Sequence, residues 1–473
     1  MDWKTDLDPL VRSVDLDVGQ CAKVALSDGT EASVRLIDLA EERDDLRNAV
    51  RRAVVDVEVN GERAQIVSAT YHLPVVVGGV QIGCPVTGGH VTKEGGNRWG
   101  LQSDARLRLW PAGSPWIRPG TFGYPVNQRW FATNTQMANE PCFVDGVERP
   151  GATRIYYHDG LDFGGAEGLV DVLATSDGLV ISAGEEQIPG HDDAGKPKYD
   201  SVCIQDRRGW YERYVHLRSI DPAMVPGQVV RMGQRVGALG KEGSSGGWSH
   251  LHFSVRKRQP SGLWGTEEAY AFAWQAYREQ YAPQLVAHAR PHKLLWSGDS
   301  TVLDASLSWS ADGAPLTCEW TFTDGTKATG QQIERTYEKP GVFSETLKVT
   351  DAAGRVDYDF AVVEVADREQ PERLAAGIHP ACFPTFGIKP GDPVTFKVRS
   401  FGMPTSPEVW DFGDGSDPVS VQSDGNAEVY APDGYAETVH SFKRLGDYIV
   451  TVRRTNQHDF ESTGRLFVRV DDA

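Results

Sequence analysis

The sequence of 473 residues has only five methionines, six cysteines and no long apolar run. Glycine, proline and tryptophan are plentiful instead, with 50, 27 and 13 residues. Frequent turn residues between short apolar runs favour β structure over a helical bundle. No stretch of about 18 consecutive apolar residues occurs, so the sequence predicts no membrane span. A basic segment followed by an apolar one is also missing after Met1, so no signal peptide is visible.

An excess of basic residues is absent as well. Lys and Arg number 48 against 66 Asp and Glu, which gives a formal net charge of -18. A protein that binds nucleic acid needs basic side chains to release the counterions of the phosphates. The acidic balance therefore argues against nucleic-acid binding and against electrostatic docking on anionic surfaces. It is typical of a solvated acidic surface.

Two common metal and redox motifs are missing. None of the cysteines lies in a C-x-x-C pair, which excludes a zinc ribbon and a thioredoxin-type motif. Their number is compatible with one or two disulfides, whose pairing is left open. H-E-x-x-H is also absent, which excludes a helical zinc site with a glutamate base.

The segments that are present begin with a β domain of unknown function, predicted over residues 1–115. Asn60 and Gly61 stand between the strand-like runs 54–59 and 64–67, and both residue types accept positive φ. This pattern predicts a hairpin. Residues 116–150 are rich in Trp, Phe, Pro and Asn. They are interpreted as a packed connector, with an aromatic approach to an active site as the alternative.

One helix is predicted, over residues 267–281. Aromatic residues recur there on one helical face, at Tyr270, Trp274, Tyr277 and Tyr281. Thr266 is the predicted N-cap and Pro283 the stop signal. The aromatic stripe is interpreted as a docking face within a helix and linker at 266–291, with sugar binding as the less favoured alternative.

Two similar segments follow, and each begins at a tryptophan. W-T-F-T-D-G starts at Trp320 and W-D-F-G-D-G at Trp410. A buried Trp, an Asp-Gly turn and alternating strands are typical of immunoglobulin-like sandwiches. The segments resemble the polycystic-kidney-disease-type (PKD) domain and predict sandwiches at 292–366 and 380–470. The resemblance implies a role as spacer or surface binder.

Five residues with metal-ligand chemistry lie between 156 and 252. His158 stands four residues before Asp162, His216 lies in Y-V-H-L, and His250 and His252 lie in S-H-L-H-F. Residues i and i+2 of a strand share one side, so the last two histidines face one cavity. A catalytic zinc takes three protein ligands and leaves a position for water. This set meets that requirement, with histidines left over for acid–base work.

The motifs H-x-x-x-D, Y-x-H-L and H-x-H occur here in the order found in lysostaphin-type peptidoglycan metallo-endopeptidases, which residues 150–258 resemble. The resemblance implies one zinc ion (Zn2+) per chain, bound by His158, Asp162 and His252. It implies that His216 and His250 are the catalytic pair. Peptide cross-links of peptidoglycan are the implied substrate, and an extracytoplasmic location is implied too.

Two positions depart from the family pattern. Ser254 stands where the family usually has a glutamate, and Trp248 stands in a glycine-rich approach where small residues are usual. The loop 185–199 looks enlarged. The loop and Trp248 are expected to reshape the substrate groove, whereas Ser254 lacks the carboxylate that could support a metal ligand in the family.

The sequence thus predicts a mainly β, multidomain chain. A central open antiparallel sheet forms a peptidase domain over 116–265, followed by C-terminal immunoglobulin-like sandwiches. The alternatives are a non-catalytic cell-wall-binding or regulatory protein on the same fold, and a zinc endopeptidase acting on glycine-rich proteins. Residues 1–115 either inhibit the enzyme or widen its substrate platform, and the oligomeric state is left open. For inhibition, amides that could reach the zinc are Asn127, Gln128, Asn134 and Gln136.

Overall fold

The computed structural model describes residues 3–143, 154–191, 195–402 and 406–472. Residues 192–194, within the loop expected to be enlarged, lie outside the described residues. The predicted fold class is confirmed, because strands dominate every part of the described chain. No helix in these ranges is long and apolar enough to cross a membrane. All six cysteines are free, so the structure contains none of the disulfides that their number allowed.

The N-terminal domain consists of two antiparallel sheets that share one apolar core. The sheet orders are β1-β8-β7-β6 and β2-β3-β4-β5. Asn60 and Gly61 have φ values of 50° and 85° between β4 and β5, so the predicted hairpin is confirmed. The strands are β1 (Arg12–Leu16), β2 (Cys21–Ala25), β3 (Glu31–Arg43), β4 (Val50–Val59), β5 (Glu62–Ala69), β6 (Val75–Val77), β7 (Val80–Thr87) and β8 (Ala105–Pro111).

The predicted peptidase domain is built on an antiparallel sheet with the order β15-β14-β16-β17-β21-β12-β9, in which β19 also pairs with β14 and β22 with β21. A separate sheet has the order β13-β20-β18. The strands are β9 (Thr135–Gln136), β10 (Pro141–Phe143), β11 (Ile155–Tyr157), β12 (Leu161–Gly164), β13 (Asp171–Leu173), β14 (Gly178–Ala183), β15 (Glu186–Gln187), β16 (Val202–Asp206), β17 (Tyr211–Val215), β18 (Leu217–Ile220), β19 (Val229–Val230), β20 (Arg235–Leu239), β21 (His250–Arg258) and β22 (Trp264–Glu267).

The helix α1 (Tyr270–Tyr281) begins three residues later than predicted. The predicted N-cap, Thr266, belongs instead to β22, which pairs with β21. Strand pairing therefore overrides the local helix signal. The aromatic stripe packs on Trp130, with ring centroids of Tyr270 and Tyr277 at 6.0 and 5.5 Å. Trp130 is itself buried, so the aromatic stripe is a packing face and the connector is packed at this residue.

Two β-sandwiches complete the chain. Their larger sheets join, because β30 (Gly341–Thr350) pairs in parallel with β38 (Glu461–Val470) at Val342 and Ser462. The strands are β23 (Leu285–Val286), β24 (Lys293–Trp296), β25 (Ser300–Asp304), β26 (Trp309–Ser310), β27 (Thr317–Thr321), β28 (Lys327–Thr329), β29 (Gln332–Thr336), β30 (Gly341–Thr350), β31 (Val356–Ala366), β32 (Gly377–Phe383), β33 (Val394–Phe401), β34 (Glu408–Asp411), β35 (Val419–Val421), β36 (Ala436–His440), β37 (Gly446–Thr455) and β38 (Glu461–Val470).

The sandwiches also pack against the peptidase domain. Arg290, buried in the linker after α1, donates hydrogen bonds to Asp359 Oδ1 and Thr133 O, both at 3.2 Å, and to Thr135 Oγ1 at 3.3 Å. Asp359 belongs to the first sandwich, whereas Thr135 belongs to the peptidase sheet. A buried charge is tolerated only where such partners surround it. This packing joins the first sandwich to the sheet that contains Thr135.

Trp320 and Trp410 occupy equivalent central positions in the two sandwiches, and both are completely buried. Replacing either with alanine is expected to destabilise its sandwich by about 3–5 kcal/mol, because a large cavity replaces the ring. Chemical denaturation of the full chain measures this loss. The exposed Val302→Ala on β25 is the control, with an expected change under about 0.5 kcal/mol. Equal effects of the two substitutions would contradict a Trp-centred core.

A buried carboxyl on β17 predicts a pH-dependent stability of the peptidase domain. Burial, together with the neighbouring Asp206 carboxylate, raises the pKa of Glu212 from 4.5 to about 7. The folded state therefore holds a proton that the unfolded state has lost, and the free energy of unfolding falls as pH rises from 4.5 to about 7. Glu212→Gln is expected to stabilise the domain at pH ~8 by on the order of 1–3 kcal/mol.

Thermal unfolding at pH ~5 and ~8 tests this linkage. The midpoint of the Glu212→Gln protein should change less between the two pH values than that of the unmodified protein. Glu186→Gln, on the exposed strand β15 of the same sheet, is the matched control. An identical pH response of all three proteins would show that Glu212 does not carry the effect.

Candidate metal centre

Strand pairing brings two of the predicted metal ligands side by side. Strands β12 and β21 are antiparallel neighbours, and Asp162 lies directly opposite His252. Opposite residues of such a pair project their side chains on the same face. His158 lies in the turn between β11 and β12. In that turn a Cβ on Gly160 would stand 2.7 Å from Cε1 of His252, so glycine is required for the close approach.

The three predicted ligand atoms converge on one point. His158 Nε2 lies 2.8 Å from His252 Nδ1 and 3.1 Å from Asp162 Oδ1, and the latter two atoms are 2.9 Å apart. Three ligands about 2.0–2.1 Å from a tetrahedral zinc ion lie roughly 3.4 Å from one another. The donor set is therefore already close to that arrangement. It is a group able to hold a metal ion.

The electrostatics of this group also suit a cation. Burial lowers the pKa of His158, but the Asp162 carboxylate offsets this effect and the resulting pKa is about 9. Burial raises the pKa of Asp162, but His158 and His250 hold it well below its usual range. Burial lowers the pKa of His252. The centre thus attracts positive charge and presents two nitrogen donors and one carboxylate, which fits a zinc ion.

A hydrogen bond behind the ligands fixes the orientation of His158. Its Nδ1 lies 3.1 Å from Met137 O. A carbonyl oxygen only accepts, so Nδ1 carries the proton and Nε2 is left as the donor to the metal. Nothing in the sequence identified Met137, because a backbone carbonyl contributes through its position rather than its residue type.

The two remaining histidines form a second pair beside the ligands. The rings of His216 and His250 have centroids 4.7 Å apart. His216 Nδ1 lies 2.6 Å from Glu242 O, and His250 Nδ1 lies 3.0 Å from Trp248 O. Both Nδ1 atoms are therefore donors, and the Nε2 of His250 lies 3.4 Å from Asp162 Oδ2. Burial holds the pKa of His250 well below its usual range, so this ring is neutral.

His216 has an unusual backbone conformation. Its φ is 69°, a left-handed value that side chains other than Gly, Asn and Asp rarely adopt. The Asp200 carboxylate is 3.3 Å from the backbone nitrogen of His216 and helps to hold the turn. Strained residues of this kind cluster at functional sites. Asp200 has no counterpart among the residues identified from the sequence, and the positive φ is visible only in the structure.

The N-terminal domain contacts the turn that carries His158. Arg98 forms an ion pair with Asp159 at 2.7 Å and lies over the ring of Tyr156. Among the amides considered for an inhibitory role, Gln128 donates to Gly164 O at 2.6 Å and Gln136 donates to Cys142 Sγ at 3.2 Å. The amide nitrogens of these two side chains thus have structural partners.

Two family models match the chain. Peptidase family M23 matches residues 156–262, which contain all five residues described above. The PKD domain model matches residues 282–365, which include most of the first sandwich. Each match covers less than half of the chain.

Several solved structures are similar to parts of the chain. The antimicrobial peptidase lysostaphin from Staphylococcus simulans is 15% identical over 52% of this chain and 92% of its own, with a TM-score of 0.25. The catalytic domain of the prophage-encoded M23 protein EnpA from Enterococcus faecalis is 24% identical over 29% of this chain and 92% of its own, with a TM-score of 0.20.

The fibronectin(III)-like modules of CbhA from Clostridium thermocellum are 12% identical over 40% of this chain and 94% of their own, with a TM-score of 0.15. At such low TM-scores the family assignment rests on the sequence models and on the ligand geometry. The chain therefore contains a lysostaphin-like M23 peptidase domain at residues 156–262, followed by a PKD domain at residues 282–365.

Proposed function

We propose that this protein is a zinc-dependent endopeptidase that hydrolyses peptide bonds in bacterial cell-wall peptidoglycan. His158, Asp162 and His252 would hold one zinc ion per chain, and His216 and His250 would be the catalytic pair. One observation carries the proposal. Three ligand atoms converge within 2.8–3.1 Å, beside two histidines whose Nδ1 atoms are bound by backbone carbonyls.

When bound, zinc acts as a Lewis acid that activates water and polarises the scissile carbonyl. The protein's own groups would move the protons. A neutral imidazole Nε2 accepts a proton from the attacking water and returns it to the leaving amine. His216 and His250 each have Nε2 available for this transfer because their Nδ1 protons are held by carbonyl oxygens.

Asp162 would interact both with the two histidines of the metal site and with the catalytic histidine His250. Its Oδ1 faces His158 and His252, whereas its Oδ2 lies 3.4 Å from Nε2 of His250. A single carboxylate therefore orients a metal ligand set and lies beside a proton-transfer group. Its negative charge would stabilise an imidazolium on His250 while a proton is held there.

Family membership supports the substrate and the location. M23 peptidases act on peptidoglycan, and M23 and PKD domains are typical of extracytoplasmic proteins. We infer that the protein works outside the cytoplasm on peptide cross-links of the cell wall.

The test is digestion of purified peptidoglycan by the zinc-loaded protein, with mass spectrometry of the released fragments. New amino and carboxyl termini within the peptide stems or cross-links are expected, and a chelator should prevent them. A glycine-rich protein is offered in parallel, because its preferential cleavage would favour a protein substrate instead. Binding to the wall without any new termini would show a non-catalytic binder.

A further inference from the structure

Trp248, in the loop that leads into His250, orients this histidine through two contacts. The Trp248 ring stacks on the His250 imidazole with centroids 3.9 Å apart and planes 16° apart. The carbonyl oxygen of Trp248 accepts the Nδ1 proton of His250 at 3.0 Å. Any movement of Trp248 therefore moves the imidazole plane and its hydrogen bond together.

The second sandwich holds this loop by hydrogen bonds to its backbone. Arg399 Nη1 donates to Gly247 O at 2.7 Å, and the Ser249 N–H donates to the hydroxyl of Tyr435 at 2.7 Å. Tyr430 donates to Gly243 O at the start of the loop. The two residues on either side of Trp248 are thus both anchored to the sandwich.

The anchors are themselves rigid and buried. Arg399 is completely buried and forms a two-pronged ion pair with Asp424, with distances of 2.8 and 2.6 Å. It also donates to Val429 O at 3.0 Å and to Glu428 O at 2.7 Å. A guanidinium with all these partners has one orientation only. Its bond to Gly247 is therefore fixed in direction.

The Tyr435 hydroxyl belongs to a chain of hydrogen bonds with one consistent set of proton positions. It lies 2.8 Å from Nδ1 of His379, whose Nε2 lies 3.1 Å from Thr133 Oγ1. Thr133 Oγ1 donates to Pro380 O at 2.7 Å, so it accepts from Nε2 of His379. Tyr435 then donates to Nδ1 of His379 and accepts from Ser249. The chain ties the peptidase connector, the sandwich and the loop together.

Glycines make this close approach possible. Gly247 has a φ of 90°, and a Cβ there would lie 2.1 Å from Asn426 Oδ1 of the sandwich. A Cβ on Gly434 would lie 2.5 Å from Arg399 Nη2. The glycine-rich loop is therefore shaped for close contact with the sandwich.

We propose that the second sandwich is a structural part of the active site, with Arg399, Tyr435 and Trp248 acting as positioning residues for His250. This inference rests on the proposed peptidase function, and it gives the trailing domain a role in the rate of the reaction. A merely structural interface would hold the domains together without affecting the geometry of the histidine.

The test compares full-length zinc-loaded variants on a small soluble peptide that the unmodified protein cleaves. Tyr435→Phe removes one hydroxyl and keeps the ring. We expect kcat to fall about 5- to 10-fold, as the loss of one hydrogen bond allows, with KM and zinc content unchanged. Trp248→Ala is expected to lower kcat further, and Trp248→Phe to restore most of the rate, because a ring again stacks on His250.

Tyr448→Phe is the matched control. Tyr448 lies on β37 of the same sandwich, and its hydroxyl donates to Arg444 O at 2.8 Å, away from the loop. Its kcat, KM and zinc content should equal those of the unmodified protein. A kcat for Tyr435→Phe equal to that of the control would overturn the proposal. A change in KM or zinc content alone would also overturn it.

Hydrogen exchange supplies a readout that is independent of catalysis. The Ser249 amide proton should exchange faster in Tyr435→Phe than in the control, because its acceptor is gone. If the unmodified protein cleaves no peptide at all, the proposed function fails while this measurement still tests the anchoring. Unchanged exchange at Ser249 would refute the positioning role even in an active enzyme.

Discussion

His158→Ala is expected to lose its zinc and its activity together. His158 Nε2 is one of three atoms that meet at the centre, and its removal leaves only Asp162 and His252. Two protein ligands do not hold a catalytic zinc, for which three are usual. Elemental analysis should find about one zinc per chain in the unmodified protein and almost none in the variant. Cleavage should fall to the background rate.

A surface histidine provides the control for this experiment. His191 is only partly buried, and its Nδ1 lies 2.7 Å from the hydroxyl of Tyr211. His191→Ala removes an imidazole from the same domain without touching the ligand set, so zinc and activity should remain. Zinc returned after chelation should restore the unmodified protein and His191→Ala, but not His158→Ala. Full zinc retention by His158→Ala would show that the ligands are wrongly assigned.

The resemblance stated from the sequence singled out His158, Asp162 and His252 as metal ligands, and the structure brings these three side chains together. The i, i+2 relation of His250 and His252 holds for any strand, and β21 is a regular strand. His158 and Asp162 are close in sequence, and the antiparallel pairing of β12 with β21 brings them to His252. The sequence also identified both tryptophan-centred sandwiches, because strand alternation and Asp-Gly turns are local signals.

The parts that could not be predicted depend on contacts between distant segments. Arg399 and Gly247 are far apart in the sequence, and neither residue type indicates a contact with the other. The predicted start of the helix was wrong because Thr266 belongs to β22, which pairs with β21. A backbone carbonyl such as Met137 O cannot be identified as a hydrogen-bond partner from its residue type, because every residue has one. Each of these features depends on tertiary contacts, which the local sequence pattern does not predict.

Substitution of the second pair of histidines should lower the rate and leave the metal in place. His216 and His250 contribute no atom to the three-atom centre, and their Nδ1 protons are held by backbone carbonyls. Loss of one imidazole is expected to reduce kcat by about 10²–10⁴-fold, the range for acid–base assistance. Zinc content should stay at about one per chain, as the three-ligand set is intact.

The choice of substitution at His216 matters because of its φ of 69°. Alanine is strained in this region, whereas asparagine adopts it with less cost. His216→Asn therefore removes the imidazole and keeps the turn, which separates lost chemistry from a distorted backbone. At His250, an ordinary strand residue, alanine serves the same purpose. Measured kcat, zinc content and thermal midpoint together decide the outcome. A His216→Asn protein that loses zinc would place His216 among the ligands, whereas one that keeps both zinc and full rate would leave the proton transfers to His250 alone.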